Sequence, residues 1–376
     1  MEQAKDTVNL SLGDEISAHA GKLTRTTHNN SLWVNVTEPN EHFRSEVSFE
    51  ILKHFEGVKT IFAPDGIGTK VALIDASRGY RNAARDLIAM TAGDITRSGG
   101  CPVVFSNVLD VSSLGENNSS ETFVAIKQLF DGLVEVANLL NFNCIKGETA
   151  ELSTCVGSPN PNALVKFNWA GFMTGVTHPD KMITGHTLAP GQVVIALREY
   201  GFRSNGISAV RATMQNKFGN DWWQQTEFVK QIATPSTLYD HFLTWLNGWE
   251  NKDNNFAHYL KPHLICHLSG GSFRSKFFED VLKRKGLSAR LDTLWEPPAI
   301  VAKVAEWSGM SDTQLYEKWS CGQGALVVVD KVDVDQFIKH AKTFAIEACV
   351  AGEITTEANP SLWITSKFSD EIFCYS

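Results

Sequence analysis

Apolar and polar residues follow two periodicities in the first half of the chain. Two long segments, 82–98 and 119–140, place apolar residues at helical spacing and predict helices, the first ending at Gly99-Gly100. Around them lie short runs rich in apolar and β-branched residues, which predict strands at 58–64, 102–111, 144–152 and 167–177. This alternation of strands and helices is typical of an α/β domain.

The same alternation continues in the second half of the chain. Strands are predicted at 192–199, 263–270, 324–330 and 349–355, and helices at 207–215, 272–286 and 333–345. The turn-rich stretch 178–192 separates the halves, and we place a boundary there that gives domains 1–180 and 181–376. A chain of 376 residues exceeds the size at which one hydrophobic core stops growing, which also favours two domains. Residues 216–258 are polar and rich in Trp and Asn, and we interpret them as a helical insertion.

Composition and charge exclude several classes of function. The formal net charge is −8, without the concentrated basic stripe that a nucleic-acid partner requires. No apolar run approaches the roughly 20 residues needed to span a bilayer, and the first residues do not resemble a secretory signal. Seven cysteines without a C-x-x-C pair are typical of reduced thiols. We therefore expect a cytoplasmic protein with neither a nucleic-acid nor a membrane partner.

A glycine-containing loop follows the strand predicted at 58–64 and has the sequence Asp65-Gly66-Ile67-Gly68-Thr69-Lys70. Its two glycines let the backbone turn tightly and approach a phosphate, its lysine supplies positive charge, and its aspartate can hold Mg²⁺. The G-K-[ST] order of a P-loop is absent. Taken alone, the loop is also compatible with an ordinary turn.

Further carboxylates are predicted near this loop. Asp94 lies on the following helix and Glu148 at the end of another strand, where a cation would relieve their mutual repulsion. Asp86 lies eight residues before Asp94 and points roughly 80° away from it on a helix, so it is the weaker candidate, a helix-surface charge or a supporting group. For any one of these carboxylates alone, a solvated charge is the better interpretation, and only the set as a whole favours a metal site.

Seven segments together resemble the aminoimidazole ribonucleotide (AIR) synthetases, the phosphoribosylformylglycinamidine cyclo-ligases. They occur in the order and spacing of that family from about residue 58 to about residue 353: DGIGTK, RDLIAMTAGDITRSGGCPVVF, KGETAE, WAGFMTGV, RSNGISAVR, CHLSGG and CGQGALVVVD. The resemblance implies a two-domain α/β fold whose N-terminal domains pair, so that strands of two subunits form a shared β-barrel in a homodimer. It also implies that ATP and Mg²⁺ bind the N-terminal domain and that the C-terminal domain binds the phosphate of the substrate.

Residues are carried over from the resemblance position by position. The metal positions fall on Asp65, Asp94 and Glu148. The ATP-binding positions fall on Asp65, Gly66, Gly68, Thr69, Lys70, Asp94 and Asn107. The substrate-binding positions fall on Arg203, Ser204, Asn205, Gly206, Gly270 and Gly271. Small residues at these last two turns suit a nest of backbone amides around a phosphate.

The implied reaction uses ATP to activate the formyl oxygen of formylglycinamidine ribonucleotide, after which an amidine nitrogen closes the imidazole ring. The resemblance gives Lys70 a role on the phosphates. It makes His267 a candidate proton shuttle, although a histidine at a strand end is more often structural.

The chain departs from the family at several functional loops. The glycine-rich segment expected before the DGIGTK loop is missing from residues 33–47. Asn107 and Asn168 occupy acidic positions, Arg203 replaces a histidine, and Ser272 replaces a glycine. Two fewer carboxylates and one more arginine predict a more positive site.

These departures leave three functions open. The leading hypothesis is an ATP-dependent cyclo-ligase of purine biosynthesis. A second is a related ATP-dependent enzyme with another acceptor. A third is a non-catalytic nucleotide-binding paralogue that keeps the scaffold.

Overall fold

The structure is a computed structural model that describes residues 9–38, 47–52, 56–250 and 257–376. Contacts between residues divide the chain into two units. Unit 1 comprises Met1–Ile95 and Pro102–Val176, and unit 2 comprises Thr96–Cys101 and Thr177–Ser376. The short segment Thr96–Cys101 thus belongs with the C-terminal half, which local sequence patterns could not show. The roles predicted for domains 1–180 and 181–376 stay a prediction.

Unit 1 combines two small sheets with helices. Its helices are α1 (Leu10–Arg25), α2 (Val71–Ser77), α3 (Ala83–Thr96, whose last residue falls in unit 2) and α4 (Glu121–Leu140). Its strands are β1 (Val34–Thr37), β2 (Ser48–Ile51), β3 (Lys59–Gly66), β4 (Cys101–Val111), β5 (Asn143–Glu151) and β6 (Phe167–Thr177); the first residue of β4 and the last residue of β6 fall in unit 2. The strands β1 and β2 pair with each other, and the larger sheet has the order β3-β6-β4-β5. Strands β4 and β5 run parallel, which places Asn107 opposite Gly147.

Helix α4 shows how the sequence fixes the core of unit 1. Ser120 caps it by accepting a hydrogen bond from the backbone N–H of Phe123, 3.3 Å away, and the left-handed Asn141 ends it. A Cβ atom added at Gly132 would lie 1.8 Å from the carbonyl oxygen of Arg81, so glycine is required for close packing there. On the buried face, the ring of Phe130 meets Trp169 of β6 edge-on at 6.4 Å.

Unit 2 is built on one seven-stranded sheet. Its strands are β7 (Val193–Arg198), β8 (Leu264–His267), β9 (Ser288–Leu291), β10 (Gln323–Val329), β11 (Ala348–Thr355), β12 (Leu362–Thr365) and β13 (Ile372–Tyr375), in the order β13-β12-β9-β11-β7-β10-β8. Its helices are α5 (Ile207–Phe218), α6 (Thr226–Ile232), α7 (Asp240–Leu246), a π-helix (Phe273–Lys283), α8 (Ala299–Ser308), α9 (Asp312–Lys318) and α10 (Val334–Thr343). All residues of β10 are buried, as expected for an inner strand.

The structure contains several elements that the sequence analysis did not predict: α1, α2, the paired strands β1 and β2, strand β9, helices α8 and α9, and the hairpin β12–β13. The chain therefore does not end on the strand at 349–355. The helix predicted at 272–286 is a π-helix over most of its length, a rare form that is frequent at functional sites. Among the described residues, no helix has the length and apolarity needed to cross a membrane.

Candidate functional site

The DGIGTK loop connects β3 to α2 in unit 1. Strand β3 ends at Gly66, and a single 3₁₀ turn, Gly68–Lys70, leads into the helix. Gly68 has φ +64°, a left-handed conformation that favours glycine. Asp65 is half-buried, and its Oδ1 accepts a hydrogen bond from the N–H of Gly66 at 2.7 Å. The loop therefore presents a fixed carboxylate beside the exposed Gly68 and Thr69.

Lys70 points into the protein rather than out of the loop. Its side chain is fully buried, and its Nζ donates a hydrogen bond to Oδ1 of Asp86 at 2.7 Å. Asp86 is itself buried on α3, so its interpretation as a helix-surface charge is wrong and its role is a supporting one. A buried charge is tolerated only when it is paired. The contact of Lys70 with phosphates stays a prediction. The ammonium group that would make this contact already has a carboxylate partner, Asp86.

The three predicted metal ligands are not gathered into one cluster. Asp94 is half-buried on α3, and Glu148 is exposed on β5. No group of three His, Cys, Asp or Glu side chains in the described part of the chain has a metal-binding arrangement. Mg²⁺, however, is usually held by one or two carboxylates, with waters and substrate phosphates completing its octahedron. Single carboxylates such as Asp65 and Glu148 fit that mode of binding.

A cavity of about 370 Å³ lies in unit 1 between α1 and strand β5. It contains two predicted site residues, Asn107 and Glu148, and is lined by Ser17, Ala20, Gly21, Thr24, Arg25, His28, Val47, Asn107, Phe130, Ile145, Lys146, Gly147, Glu148 and Thr149. Asn107 is buried on β4, and its Oδ1 accepts a hydrogen bond from Nε1 of Trp169 at 3.0 Å. A Cβ atom added at Gly147 would lie 2.7 Å from Nδ2 of Asn107, so any larger residue there would push the amide side chain from its place.

Helix α1 contributes residues to this cavity that the sequence analysis missed. Ser17, Ala20, Gly21, Thr24 and Arg25 recur at helical spacing, so they share one face of the helix. The first three have small side chains, which leaves space between the helix and β5. The sequence shows this periodicity. It does not show which surface of the protein this face of the helix covers.

Two predicted substrate turns meet in unit 2. The turn Ser204–Gly206 leads directly into α5, and the turn Gly270–Ser272 leads into the π-helix. A Cβ atom added at Gly270 would lie 3.5 Å from Oδ1 of Asn205. Nε1 of Trp319 donates a hydrogen bond to the carbonyl oxygen of Gly206 at 3.2 Å, and Oγ of Ser272 donates one to the carbonyl oxygen of Trp319 at 2.9 Å. The structure thus brings the predicted S-N-G and G-G turns together at two helix N-termini.

The backbone of these turns explains the residues found there. Gly206 and Gly271 have φ of +72° and +79°, where glycine is unstrained. Ser272 has φ +40°, a conformation that is costly for a residue with a Cβ atom. Beneath the turns, Arg203, Asn205, Lys318 and other residues enclose only about 10 Å³, room for one water. This space is too small for a phosphate, whereas Gly270 of the second turn is exposed.

Arg203 does not add net positive charge to this region. It is buried, and its Nη1 donates hydrogen bonds to Oε2 of Glu199 at 2.8 Å and to the carbonyl oxygen of Thr237 at 3.1 Å. Glu199 is fully buried and also accepts from the N–H and Oγ1 of Thr237. The expectation that Arg203 makes the site more positive is therefore wrong, because a buried carboxylate compensates the guanidinium. Its assignment to substrate binding stays a prediction.

His267 lies at the end of β8, closed off from solvent. Burial lowers the pKa of its imidazole well below the ordinary value, and the nearby Arg203 and Arg97 lower it further. Its Nε2 has no hydrogen-bond partner within the described residues. The imidazole is therefore neutral at physiological pH, and a proton shuttle at this position stays a prediction.

Two models of known protein families match most of the chain. The model described as AIR synthase related protein, N-terminal domain, matches residues 50–176, and the model described as AIR synthase related protein, C-terminal domain, matches residues 189–365. Together these matches cover the DGIGTK loop, the cavity strands and both turns of unit 2. The family predicted from the seven segments is confirmed.

Curated relatives carry the name phosphoribosylformylglycinamidine cyclo-ligase. The relative from Caldanaerobacter subterraneus subsp. tengcongensis is 28% identical over 314 residues, covering 81% of this chain and 84% of its own length. The relative from Thermoanaerobacter sp. is 26% identical over 356 residues, covering 92% and 95%. The relative from Methanocaldococcus jannaschii is 27% identical over 300 residues, covering 78% and 77%.

Solved structures share the fold at low sequence identity. The thiamine-monophosphate kinase of Stenotrophomonas maltophilia K279a has a TM-score of 0.58 at 11% identity, covering 93% of this chain and 94% of its own. The hydrogenase maturation protein HypE of E. coli has a TM-score of 0.57 at 14% identity, covering 95% and 96%. A HypE structure in complex with ATP has a TM-score of 0.52 at 11% identity, covering 85% and 84%. The predicted two-domain α/β fold is confirmed.

Proposed function

The chain belongs to the AIR synthase related family, and from this membership we propose that it is an ATP-dependent cyclo-ligase of purine biosynthesis. Its substrate is formylglycinamidine ribonucleotide, and its products are aminoimidazole ribonucleotide, ADP and phosphate. The curated relatives bear the name of this activity and align with most of the chain. We propose that the enzyme works in the cytoplasm.

The observation that carries this proposal is the meeting of two turns in unit 2. Ser204–Gly206 and Gly270–Ser272 are more than sixty residues apart, yet each ends at a helix N-terminus and the two are in contact. The N-terminus of a helix offers unpaired backbone N–H groups and a partial positive charge, which together bind phosphate. Ser204, Asn205, Gly206, Gly270 and Gly271 would hold the ribose phosphate of the substrate by this means.

ATP and Mg²⁺ are assigned to unit 1. The DGIGTK loop supplies an accessible turn with the Asp65 carboxylate, and the cavity supplies Asn107 and Glu148. A structural neighbour bound to ATP shares the fold. The metal would neutralise phosphate charge when bound. Of the three predicted ligands, Glu148 is exposed and Asp65 and Asp94 are half-buried, and these carboxylates would hold it.

The proposed reaction needs little covalent chemistry from the protein. The formamide oxygen of the substrate takes the γ-phosphoryl group of ATP, and ADP leaves. An amidine nitrogen then attacks the same carbon, the carbon–oxygen bond to phosphate breaks, and loss of a proton gives the aromatic imidazole. The chain's own residues position the two substrates and stabilise charge, a contribution that can supply most of the barrier reduction in phosphoryl transfer.

We propose that unit 1 also mediates the predicted homodimer. One face of its larger sheet packs against α4, whereas the other face carries Phe62 and Phe172, which are 70% and 49% exposed. Exposed aromatic side chains on one sheet face are typical of a protein interface.

Phe62→Asp is expected to convert a dimer into a folded monomer in sedimentation equilibrium. Val332→Asp, at a position 89% exposed in unit 2, is the control and should stay dimeric; a monomeric wild type would contradict the proposal.

The activity is tested by phosphate release from ATP with and without formylglycinamidine ribonucleotide, while the aminoimidazole product is assayed. We expect release to rise with substrate, to match product in a 1:1 ratio and to cease when EDTA removes Mg²⁺. ATP binding without this stimulation would contradict the cyclo-ligase and favour another acceptor, to which the replacement of a family histidine by the Glu199-paired Arg203 points. No ATP binding would leave only the non-catalytic scaffold.

A further inference from the structure

The α1–β5 cavity of unit 1 contains cations that neither the motifs nor the family resemblance assigns. Arg25 comes from the last turn of α1, and Lys146 comes from β5, beside Gly147. Lys70, the lysine implied by the resemblance, is instead fully buried against Asp86. Among the described residues that line the cavity containing Asn107 and Glu148, the lysine and arginine side chains are Lys146 and Arg25.

The cavity has a polar floor that is ready to donate hydrogen bonds. Asn107 is 5% exposed, and its Oδ1 is occupied by the indole N–H of Trp169. Its Nδ2 makes no hydrogen bond within the described residues, so it has two hydrogens to donate to an acceptor. The hydroxyl groups of Ser17, Thr24 and Thr149 line the same space. An amide held in this way is built to face a ligand with oxygen acceptors.

Charge and size define the class of ligand. The volume of about 370 Å³ accommodates a small molecule and lies at the lower end of ligand pockets, which are roughly 300–1,000 Å³. Arg25 is exposed on one side and bonds Glu38 through its Nε at 3.0 Å, an ion pair that leaves other guanidinium N–H groups to donate. Lysine and arginine are the side chains that bind phosphate oxygens most strongly.

We propose that Arg25 and Lys146 bind the polyphosphate of the nucleotide in this cavity, with Asn107 donating from its floor. Lys70 then serves as a positioning residue that holds α3 against the DGIGTK loop through Asp86. This inference rests on the proposed use of ATP, but it adds two cations and α1 to the binding site.

Calorimetric titration of the full-length protein tests the inference, with Mg-ATP, sodium tripolyphosphate and adenosine as probes. We expect Arg25→Met and Lys146→Met each to raise the Kd for ATP and for tripolyphosphate about tenfold, the lower end of the loss expected for one hydrogen bond between charged groups. The Kd for adenosine should stay unchanged, because adenosine lacks the anionic group. Lys146→Arg should restore most of the affinity. Lys22→Met is the matched control, since Lys22 is exposed on α1, three residues before Arg25, and does not line the cavity.

Each other result has a defined meaning. ATP and tripolyphosphate affinities within twofold of wild type in both variants would overturn the inference while leaving the proposed function intact. An equal loss of adenosine affinity would show that the variants deform the cavity, and would also overturn it, as would a wild type that binds neither ATP nor tripolyphosphate. Lys146-dependent ATP binding without any aminoimidazole product would support the inference and contradict the proposed function.

Discussion

Replacing Lys70 with methionine is expected to lower the free energy of unfolding by about 3–5 kcal/mol, the loss typical of breaking a buried ion pair. The substitution keeps the length and the apolar stem of the side chain. It removes the ammonium group that lies 2.7 Å from the buried Asp86 carboxylate in the unsubstituted protein. Denaturant unfolding followed by tryptophan fluorescence measures the change.

A double variant separates the structural role of Lys70 from a role on ATP. In Lys70→Met/Asp86→Asn both charges are absent, so at least half of the lost stability should return. Lys22→Met should remain within about 0.5 kcal/mol of wild type, as is usual at exposed positions. A Lys70→Met protein as stable as wild type but unable to bind ATP would contradict the structural role and restore the phosphate contact implied by the family resemblance.

The periodic segments of the chain were predictable because each spans several turns or alternations. Residues 119–140 and 102–111 became α4 and β4 almost without change. The hairpin β12–β13 escaped because each strand has only four residues, too few for a periodic signal. Strand β12 is held by parallel pairing with β9, a contact between segments about seventy residues apart that no local pattern records.

Local motifs located the candidate site, but they could not give the partners of its charged groups. The DGIGTK sequence predicted a turn after a strand, which the structure has, yet the partner of Lys70 lies sixteen residues away on α3. Glu199 and Arg203 are four residues apart, but their charge compensation depends on burial and on Thr237, which belongs to the insertion. Burial decides whether a cation is available to a ligand, and burial is a property of the tertiary fold.

The orientation of helix α1 shows the same limit from the other side. Its spaced small residues could have marked a face packed against any neighbour. Only the pairing of β4 with β5, which places Asn107 opposite Gly147, shows that this face covers candidate site residues. The cavity results from small side chains on one element and a glycine on another, so neither segment predicts it alone.

Replacing Asp65 with asparagine is expected to reduce substrate-dependent ATP turnover by roughly 100-fold or more, the loss typical of removing one preorganised electrostatic group from an active site. Asparagine keeps the size of the side chain and an oxygen that can accept the hydrogen bond from Gly66, so the loop should remain folded. Only the negative charge is lost, and that charge is what a metal-bound triphosphate requires. The rate of phosphate release at saturating ATP and substrate measures the effect, with the unfolding midpoint measured in parallel.

Asp110→Asn, at a half-buried position on β4 outside the cavity, is the matched control and should retain turnover. Turnover of Asp65→Asn within threefold of wild type would remove Asp65 from the site. An equal loss of turnover in Asp65→Asn and in the Asp110→Asn control would mean that these carboxylates stabilise the sheet and do not act on the nucleotide.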